Sequence, residues 1–287
     1  MKERIRLNDS NDKTVLITGS TDGIGRATAL RFLKEGYNVI VHGRSREKVF
    51  RTIDFIKKET NNSNIVPMYG DLRSHSEIIM MIDEISDHFD KIDILINNAG
   101  VFRPNKTLTE DGIEETIAVN YIAPFIISNL LLDLLYKAEK GKILNVVSRL
   151  HSNSLNLEKL QVEKRYNGIK AYSVSKTCLI MFTYQLARSL EDTGVSVNCL
   201  HPGVIDTKML KAAFDSFGDT PSIGADHVFF AATDPSLDNV SGKYLEDDRI
   251  TPSNKITYNQ GLQKKLWEKT EEIIGLKCNV KNYCKPL

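Results

Sequence analysis

The 287-residue chain has little of several things, and each shortage removes a class of function. It has almost no net charge. Its 38 Lys and Arg against 37 Asp and Glu leave +1, too small a basic excess to neutralise nucleic-acid phosphates. It has no long hydrophobic run. The most apolar stretch, YIAPFIISNLLLDLL (121–135), contains Pro124, Asn129 and Asp133 and is too short to span a bilayer, so it reads as a buried helix. The first residues, MKERIRLNDSNDK, carry no apolar core of a secretory signal. It has four cysteines, Cys178, Cys199, Cys278 and Cys284, and none is spaced with histidines as zinc ligands are. The expectation is a cytoplasmic protein with reduced thiols, no metal, no nucleic-acid partner and no membrane anchor. Hydrophobic residues at 41% and charged residues at 26% are ordinary globular values, which argue against disorder.

What is present is alternation. Seven strand-like runs are expected: KTVLITG (13–19), YNVIVHG (37–43), NIVPMYGD (64–71), KIDILINNAG (91–100), GKILNVVS (141–148), VSVNCLHPG (195–203) and GKYLEDD (242–248). Between them lie helical patterns, including a long one from about Glu110 to Tyr136 and another from about Ala171 to Asp192. Apolar strands alternating with helices predict a parallel sheet covered on both faces, wound right-handedly: a single-domain α/β fold of the doubly wound, Rossmann type. No Pro-, Gly- or Ser-rich linker divides the chain, so residues 1–287 read as one domain. Its core runs from about 13 to 250, and a C-terminal extension with a surface helix covers 251–287.

The first strand ends in TGSTDGIG. Gly19, Gly23 and Gly25 follow a strand and open a helix, the setting of a dinucleotide loop. One glycine allows a sharp turn, one lets backbone approach a pyrophosphate, and one lets helix pack on strand. Gly19, Ser20, Thr21, Asp22, Gly23, Ile24 and Gly25 are therefore candidate cofactor contacts. The second strand ends in VIVHGRSRE, with no acidic residue to hold a ribose 2′-hydroxyl. Arg44 and Arg46 offer guanidinium forks suited to a 2′-phosphate, which predicts NADP(H) over NAD(H). A solvated basic turn is the alternative.

Tyr172 and Lys176 are one helical turn apart, so their side chains share a face. A free phenol titrates near pH 10 and is a poor base at neutrality; a cation beside it favours the phenolate. Ser148, ending a strand, can polarise a carbonyl oxygen. TGSTDGIG, NNAG (97–100), Asn120, Ser148 and YSVSK (172–176), in this order, resemble the short-chain dehydrogenase/reductase superfamily over about residues 13–275.

The resemblance implies an oxidoreductase that interconverts an alcohol and a carbonyl. Tyr172 acts as acid/base and Lys176 assists it and binds the nicotinamide ribose. Ser148 holds the substrate oxygen, and Asn120 holds a water in a proton relay. It further implies that Asn98, Ala99 and Gly100 support the cofactor pocket, that Asp71 and Leu72 flank the adenine, and that Pro202, Gly203, Val204 and Thr207 contact the nicotinamide end. His201 is expected to shape the turn before Pro202, and His151 to line the substrate pocket.

Ser148 and Tyr172 are 24 positions apart, more than in simpler members. This polar insert, the extension and HPGVIDT resemble the retinol-dehydrogenase-like, WW-domain-oxidoreductase-like branch, although no WW domain precedes the fold. Met209, Leu210, Phe214 and Phe217 give segment 208–227 an apolar face that fits either a lid over a lipophilic substrate or ordinary core packing. Two rival readings keep the fold: a catalytically idle NADP(H) sensor, and a scaffold. Apolar residues on more than one face of helices 110–136 and 171–192 point to packing against a second subunit, hence a homo-oligomer.

Overall fold

The structure, a computed structural model, describes residues 13–160, 165–279 and 283–286. The polar N-terminal segment 1–12 and residues 161–164 of the insert lie outside the described residues. The strands are β1 (Thr14–Ile17), β2 (Asn38–Gly43), β3 (Ile65–Tyr69), β4 (Ile94–Asn97), β5 (Lys142–Val146), β6 (Ser196–His201), β7 (Tyr244–Glu246) and β8 (Arg249–Ile250). They form one sheet in the order β3-β2-β1-β4-β5-β6-β7-β8, with β8 antiparallel to β7 and every other pair parallel. This sheet has eight strands rather than the expected seven. Arg249 and Ile250 escape a periodicity reading because a two-residue strand has no period. Pro67 sits in β3, an edge strand, where its missing N–H breaks no ladder.

The helices are α1 (Gly23–Lys34), α2 (Arg46–Thr60), α3 (His75–His88), α4 (Glu115–Ile117), α5 (Ala123–Leu130), α6 (Leu132–Tyr136), α7 (Gly168–Ser189), α8 (Lys208–Phe214), α9 (Pro221–Thr233) and α10 (Gln260–Ile274). Leu33, Ile53, Ile56 and Val228, from α1, α2 and α9, pack on one sheet face with Val15 and Ile17. On the other face α3, α5 and α7 supply Ile82, Phe125, Ile126, Phe182 and Leu186. Both faces are covered, which is why β2 is buried along its whole length.

The single helix expected over 110–136 is broken. Residues 108–114 form a small turn in which Leu108 bridges Glu114. The Glu114 carboxylate then caps α4, accepting from Thr116 and Ile117 N–H. A π-helical turn follows at Ala118–Ile122. Pro124 has no N–H to give the Asn120 carbonyl four residues earlier, so the α-helical ladder cannot run through this point.

The extension packs against the helices on which a second subunit was expected. Helix α10 lies on α7, and Trp267 packs edge-on against Phe125 (ring centroids 4.7 Å apart) and beside Phe182 (5.8 Å). Tyr121 Oη and Thr270 Oγ1 share a buried hydrogen bond of 2.6 Å. The outward apolar faces of α5 and α7 are thus covered by the chain's own C-terminal helix. Trp267→Ala is expected to cost about 3 kcal/mol in urea unfolding, because it deletes the aromatic centre of this contact. A loss under about 0.5 kcal/mol would show that α10 merely rests on the surface.

Beyond α10, β9 (Leu276–Asn279) and β10 (Tyr283–Pro286) form an antiparallel hairpin with Cys278 opposite Cys284 in register. Cys278 is disulfide-bonded, which corrects the expectation of reduced thiols throughout; Cys178 and Cys199 are free and buried. The hairpin register, invisible as a sequence spacing motif, decides this. Among the described residues no helix is long and apolar enough to cross a membrane.

Candidate active site

The C-terminal ends of the parallel strands open onto a cavity of about 1040 Å³ that runs from Arg44 to Tyr172 and on to the start of α8. Its first wall is the glycine loop. Gly19 has φ +64, and a Cβ there would lie 2.8 Å from Ala99 Cα, so the position admits only glycine without rearrangement. Thr21, Asp22, Gly23, Ile24 and Gly25 continue the wall. Ser20 does not. It is fully buried, donating to Ile17 O at 2.8 Å and accepting from His42 N–H at 2.9 Å, and so holds the loop from behind.

His42 was not among the expected site residues. Its Nδ1 accepts from Gly19 N–H at 3.1 Å, so Nε2 carries the proton and donates to Gly70 O at 3.0 Å. Burial pushes its pKa down to about 4, which keeps the ring neutral and the tautomer fixed. One imidazole thereby ties the ends of β1, β2 and β3. The only sequence signal was a polar residue inside an otherwise apolar strand.

At the end of β2 and just beyond it, Gly43, Arg44, Ser45 and Lys48 line the cavity. Arg46 lies elsewhere, its guanidinium over the rings of Phe50 (5.6 Å) and Tyr69 (5.7 Å). The structure does not bring Arg46 to the cavity wall beside Arg44. Arg46 opens α2, and the helix directs its side chain toward its own next turn, onto Phe50. Lys48 points to the cavity instead and was missed. Asp71 and Leu72 also stand on the wall. Burial works to raise the Asp71 carboxyl, but two-pronged hydrogen bonding from Arg73 (Nε 2.9 Å, Nη2 2.5 Å to Oδ2) outweighs it and holds the pKa below the usual range.

Asn98, Ala99 and Gly100 close the middle of the cavity. Thr18 Oγ1 accepts from both Asn98 N–H (3.0 Å) and Ala99 N–H (3.1 Å), and Asn98 Nδ2 donates back to Thr18 O at 2.9 Å. These bonds lock the end of β4 to the glycine loop.

At the far end Ser148, Tyr172 and Lys176 share the wall. Lys176 Nζ donates to Val146 O at 2.9 Å and lies 5.7 Å from the centre of the Tyr172 ring. Burial raises the Tyr172 phenol above its ordinary value, and the counter-effect is Ser148's hydrogen bond rather than the charge of Lys176. The Lys176 ammonium is directed to a backbone carbonyl. Burial also lowers Lys176 to about 8. Asn120 is fully buried behind the wall. Its side chain brackets Val101, accepting from N–H at 2.7 Å and donating to O at 3.0 Å, and it donates to Ser175 Oγ at 3.0 Å. The residue therefore braces the π-helical turn and the chain after β4.

Pro202, Gly203, Val204 and Thr207 also line the cavity, with Gly203 at φ +94. Thr207 caps α8 by accepting from Leu210 N–H at 3.2 Å, and Lys208 Nζ meets Asp22 Oδ2 at 2.5 Å, joining the glycine loop to the start of α8. Met209 and Leu210 face the cavity. Phe217 does not belong to that face, being 82% exposed beneath the Lys211 ammonium. The side chain of Phe214 lies outside the described set. His201 also lines the cavity, with burial pushing it to about 4, whereas His151 does not. Tyr166, from the insert, sits 3.0 Å from Glu114 Oε1 and 3.1 Å from Arg103 O, pinning the insert to the rim near Phe102.

Comparison with known proteins agrees with this architecture. The profile of the short chain dehydrogenase family matches residues 13–216, and the chain belongs to that family. Human polyprenol dehydrogenase is 35% identical over 92% of this chain and 86% of its own length, and mouse retinol dehydrogenase 14 is 34% identical over the same shares. The chain thus falls in the retinol-dehydrogenase-like branch and is an oxidoreductase acting on CH–OH groups. A solved structure from Mycobacterium paratuberculosis, described as a putative uncharacterized protein, superposes with a TM-score of 0.75 at 25% identity, covering 92% of this chain and 93% of that one. A short chain dehydrogenase from Escherichia coli CFT073, described as complexed with NADPH, gives 0.69 at 24% identity over 82% and 96% of the two chains and shares the fold.

Proposed function

We propose that the protein is an NADP(H)-dependent enzyme interconverting a lipophilic alcohol and its aldehyde or ketone, with Tyr172 as the acid/base. The observation that carries this reading is the continuous cavity linking a cationic helix start to a phenol paired with a serine. The cavity fits a dinucleotide. Its glycines stand where a Cβ would collide: at Gly25 it would lie 2.4 Å from Gly19 O, and at Gly43 2.6 Å from Thr21 Cγ2. Arg44, Ser45 and Lys48, at the N-terminus of α2, would hold a 2′-phosphate, where both charge and helix dipole favour an anion. The glycine loop and the α1 N-terminus would hold the pyrophosphate. Pro202 to Thr207, Asn98 to Gly100 and Lys176 would hold the nicotinamide end. When bound, the nicotinamide supplies or accepts a hydride.

The chain's own residues do the rest. Ser148 hydrogen-bonds the substrate oxygen, and Tyr172 gives that oxygen a proton in reduction or takes one in oxidation. Asn120, through the backbone it braces, supports a proton path from Lys176. Val101, Phe102, Val147, Leu150, Met209 and Leu210 make the substrate side apolar, and relatives at 34–35% identity are named for polyprenol and retinol, both apolar alcohols.

The test is loss of reduced-nicotinamide absorbance with NADPH and then NADH, against aldehydes and ketones graded by chain length. Turnover with NADPH at a kcat/KM about tenfold or more above NADH, rising with chain length, is expected. Equal kcat/KM for the two cofactors would reject the role of Arg44 and Lys48; no turnover of any carbonyl would reject the reaction.

A further inference from the structure

The insert and the extension, the two segments that lengthen this chain, meet at His151. Its Nε2 lies 3.0 Å from Asn254 N, which can only donate. Nε2 is therefore the acceptor, and the proton sits on Nδ1, which donates to Ser148 O at 2.9 Å. Asn254 Nδ2 returns a bond to His151 O at 2.7 Å. Asn254 is itself anchored. Next to it, Ser253 Oγ bonds Tyr184 Oη (2.7 Å) and Thr257 Oγ1 (2.6 Å), and Tyr258 stacks on Tyr184 at 5.1 Å. On the other side Ser152 N–H donates to Thr177 Oγ1 at 2.7 Å, on the helix that carries Tyr172 and Lys176. The turn holding Ser148 is thus clamped between α7 and a segment 103 residues further along the chain.

We propose that His151 is a positioning residue: through its imidazole, the C-terminal segment around Asn254 sets the place of Ser148 against Tyr172. This rests on the reading of Ser148 and Tyr172 as the reacting pair. Other bonds hold the backbone of this turn: Val147 N–H donates to Leu200 O at 2.8 Å and Arg149 pairs with Glu246 at 2.5 Å. Ser148 Oγ takes Leu150 N–H at 3.1 Å within the turn, while the His151 ring links the Ser148 carbonyl to the C-terminal segment through Asn254 N–H. A hydrogen-bonding serine displaced by a fraction of an ångström loses its effect on the transition state while leaving the cofactor site alone.

The experiment compares His151→Phe, His151→Gln and Asn254→Ala with Ser148→Ala in the full chain. The readouts are NADPH dissociation constants, melting temperature and the single-turnover rate of NADPH oxidation by an aliphatic aldehyde. His151→Phe keeps ring shape without either bond and is expected to slow the single-turnover step by about tenfold, with NADPH affinity unchanged. His151→Gln can keep an acceptor for Asn254 N–H but has no donor at the position of Nδ1 beside Ser148 O, and should slow it similarly even if the Phe variant folds poorly. Asn254→Ala should give a smaller loss in the same direction. A purely structural role would lower the melting temperature and leave the single-turnover rate of the folded fraction intact, which would overturn the proposal. If Ser148→Ala is harmless, the reading of the site fails and takes the proposal with it. If Ser148→Ala is slow but both His151 variants are fast, only the tie fails.

Discussion

Tyr172→Phe is expected to lower turnover by about 10²- to 10⁴-fold while NADPH binding stays within about twofold of wild type. The substitution removes only the hydroxyl and keeps the ring, which packs edge-on against Phe102 with centroids 6.3 Å apart. Stability should therefore barely change, and a loss of rate reports on the proton. The pH dependence carries the same argument with a sign. Burial holds the phenol above its ordinary value, so it is protonated at neutrality. Reduction, which needs a proton donor, should be level through neutral pH and fall as the phenol titrates. Oxidation needs the phenolate and should rise with pH over the same range. Lys176, lowered to about 8 by burial, loses its charge on the way up and so limits how far its cation can assist oxidation. Measured kcat/KM profiles with the opposite slopes, or a Phe variant within about threefold of wild-type turnover, would remove Tyr172 from the reaction.

Gly25→Ala should weaken NADPH binding by about 100-fold or more and cost about 1–3 kcal/mol of stability, since the added methyl has no room. Its Cβ would lie 2.4 Å from both Gly19 O and Asn98 Nδ2. Asn98 Nδ2 already donates to Thr18 O at 2.9 Å and reaches Gly19 O at 3.3 Å, so relief means parting the glycine loop from the end of β4. That joint forms the middle of the cavity. Gly112, with nothing within 4 Å of its added Cβ but φ +75, is the control, because Ala there strains backbone without crowding a site. Titration of intrinsic fluorescence with NADPH measures both variants. Equal affinities for Gly25→Ala and Gly112→Ala would show that the loop is not the cradle.

Much of the fold and most of the candidate site could be read in the chain. Most of the glycine loop, Asn98 to Gly100, Ser148, Tyr172, Lys176 and the turn at Pro202 stand on the cavity wall. Each lies at the end of a strand, in the turn after it or on a strongly periodic helix, where local pattern and final position coincide. The doubly wound sheet covered on both faces followed from the same alternation, because apolar strands interleaved with helices leave few other ways to bury both faces. Misplacements had a common cause. Arg46 was grouped with Arg44 by adjacency, yet α2 turns its side chain onto Phe50 and Tyr69. Asn120 was expected within one long helix over 110–136, whereas Pro124 and the bonds to Val101 set it in a π-helical turn behind the wall.

The amino-acid sequence by itself therefore determined the sheet, the loop that suits a dinucleotide and the pairing of a phenol with a lysine. Those depend on periodicity and on intervals of a few residues, which the chain carries locally. Only the tertiary structure decided what covers the apolar sides of α5 and α7, where Lys176 directs its ammonium, and which imidazole holds the Ser148 turn. Trp267 meets Phe125, and Asn254 meets His151, across more than 100 positions. No local pattern encodes such a meeting. It is fixed by which buried faces and unpaired hydrogen-bonding groups remain once the sheet has formed, and by the requirement that each find a partner.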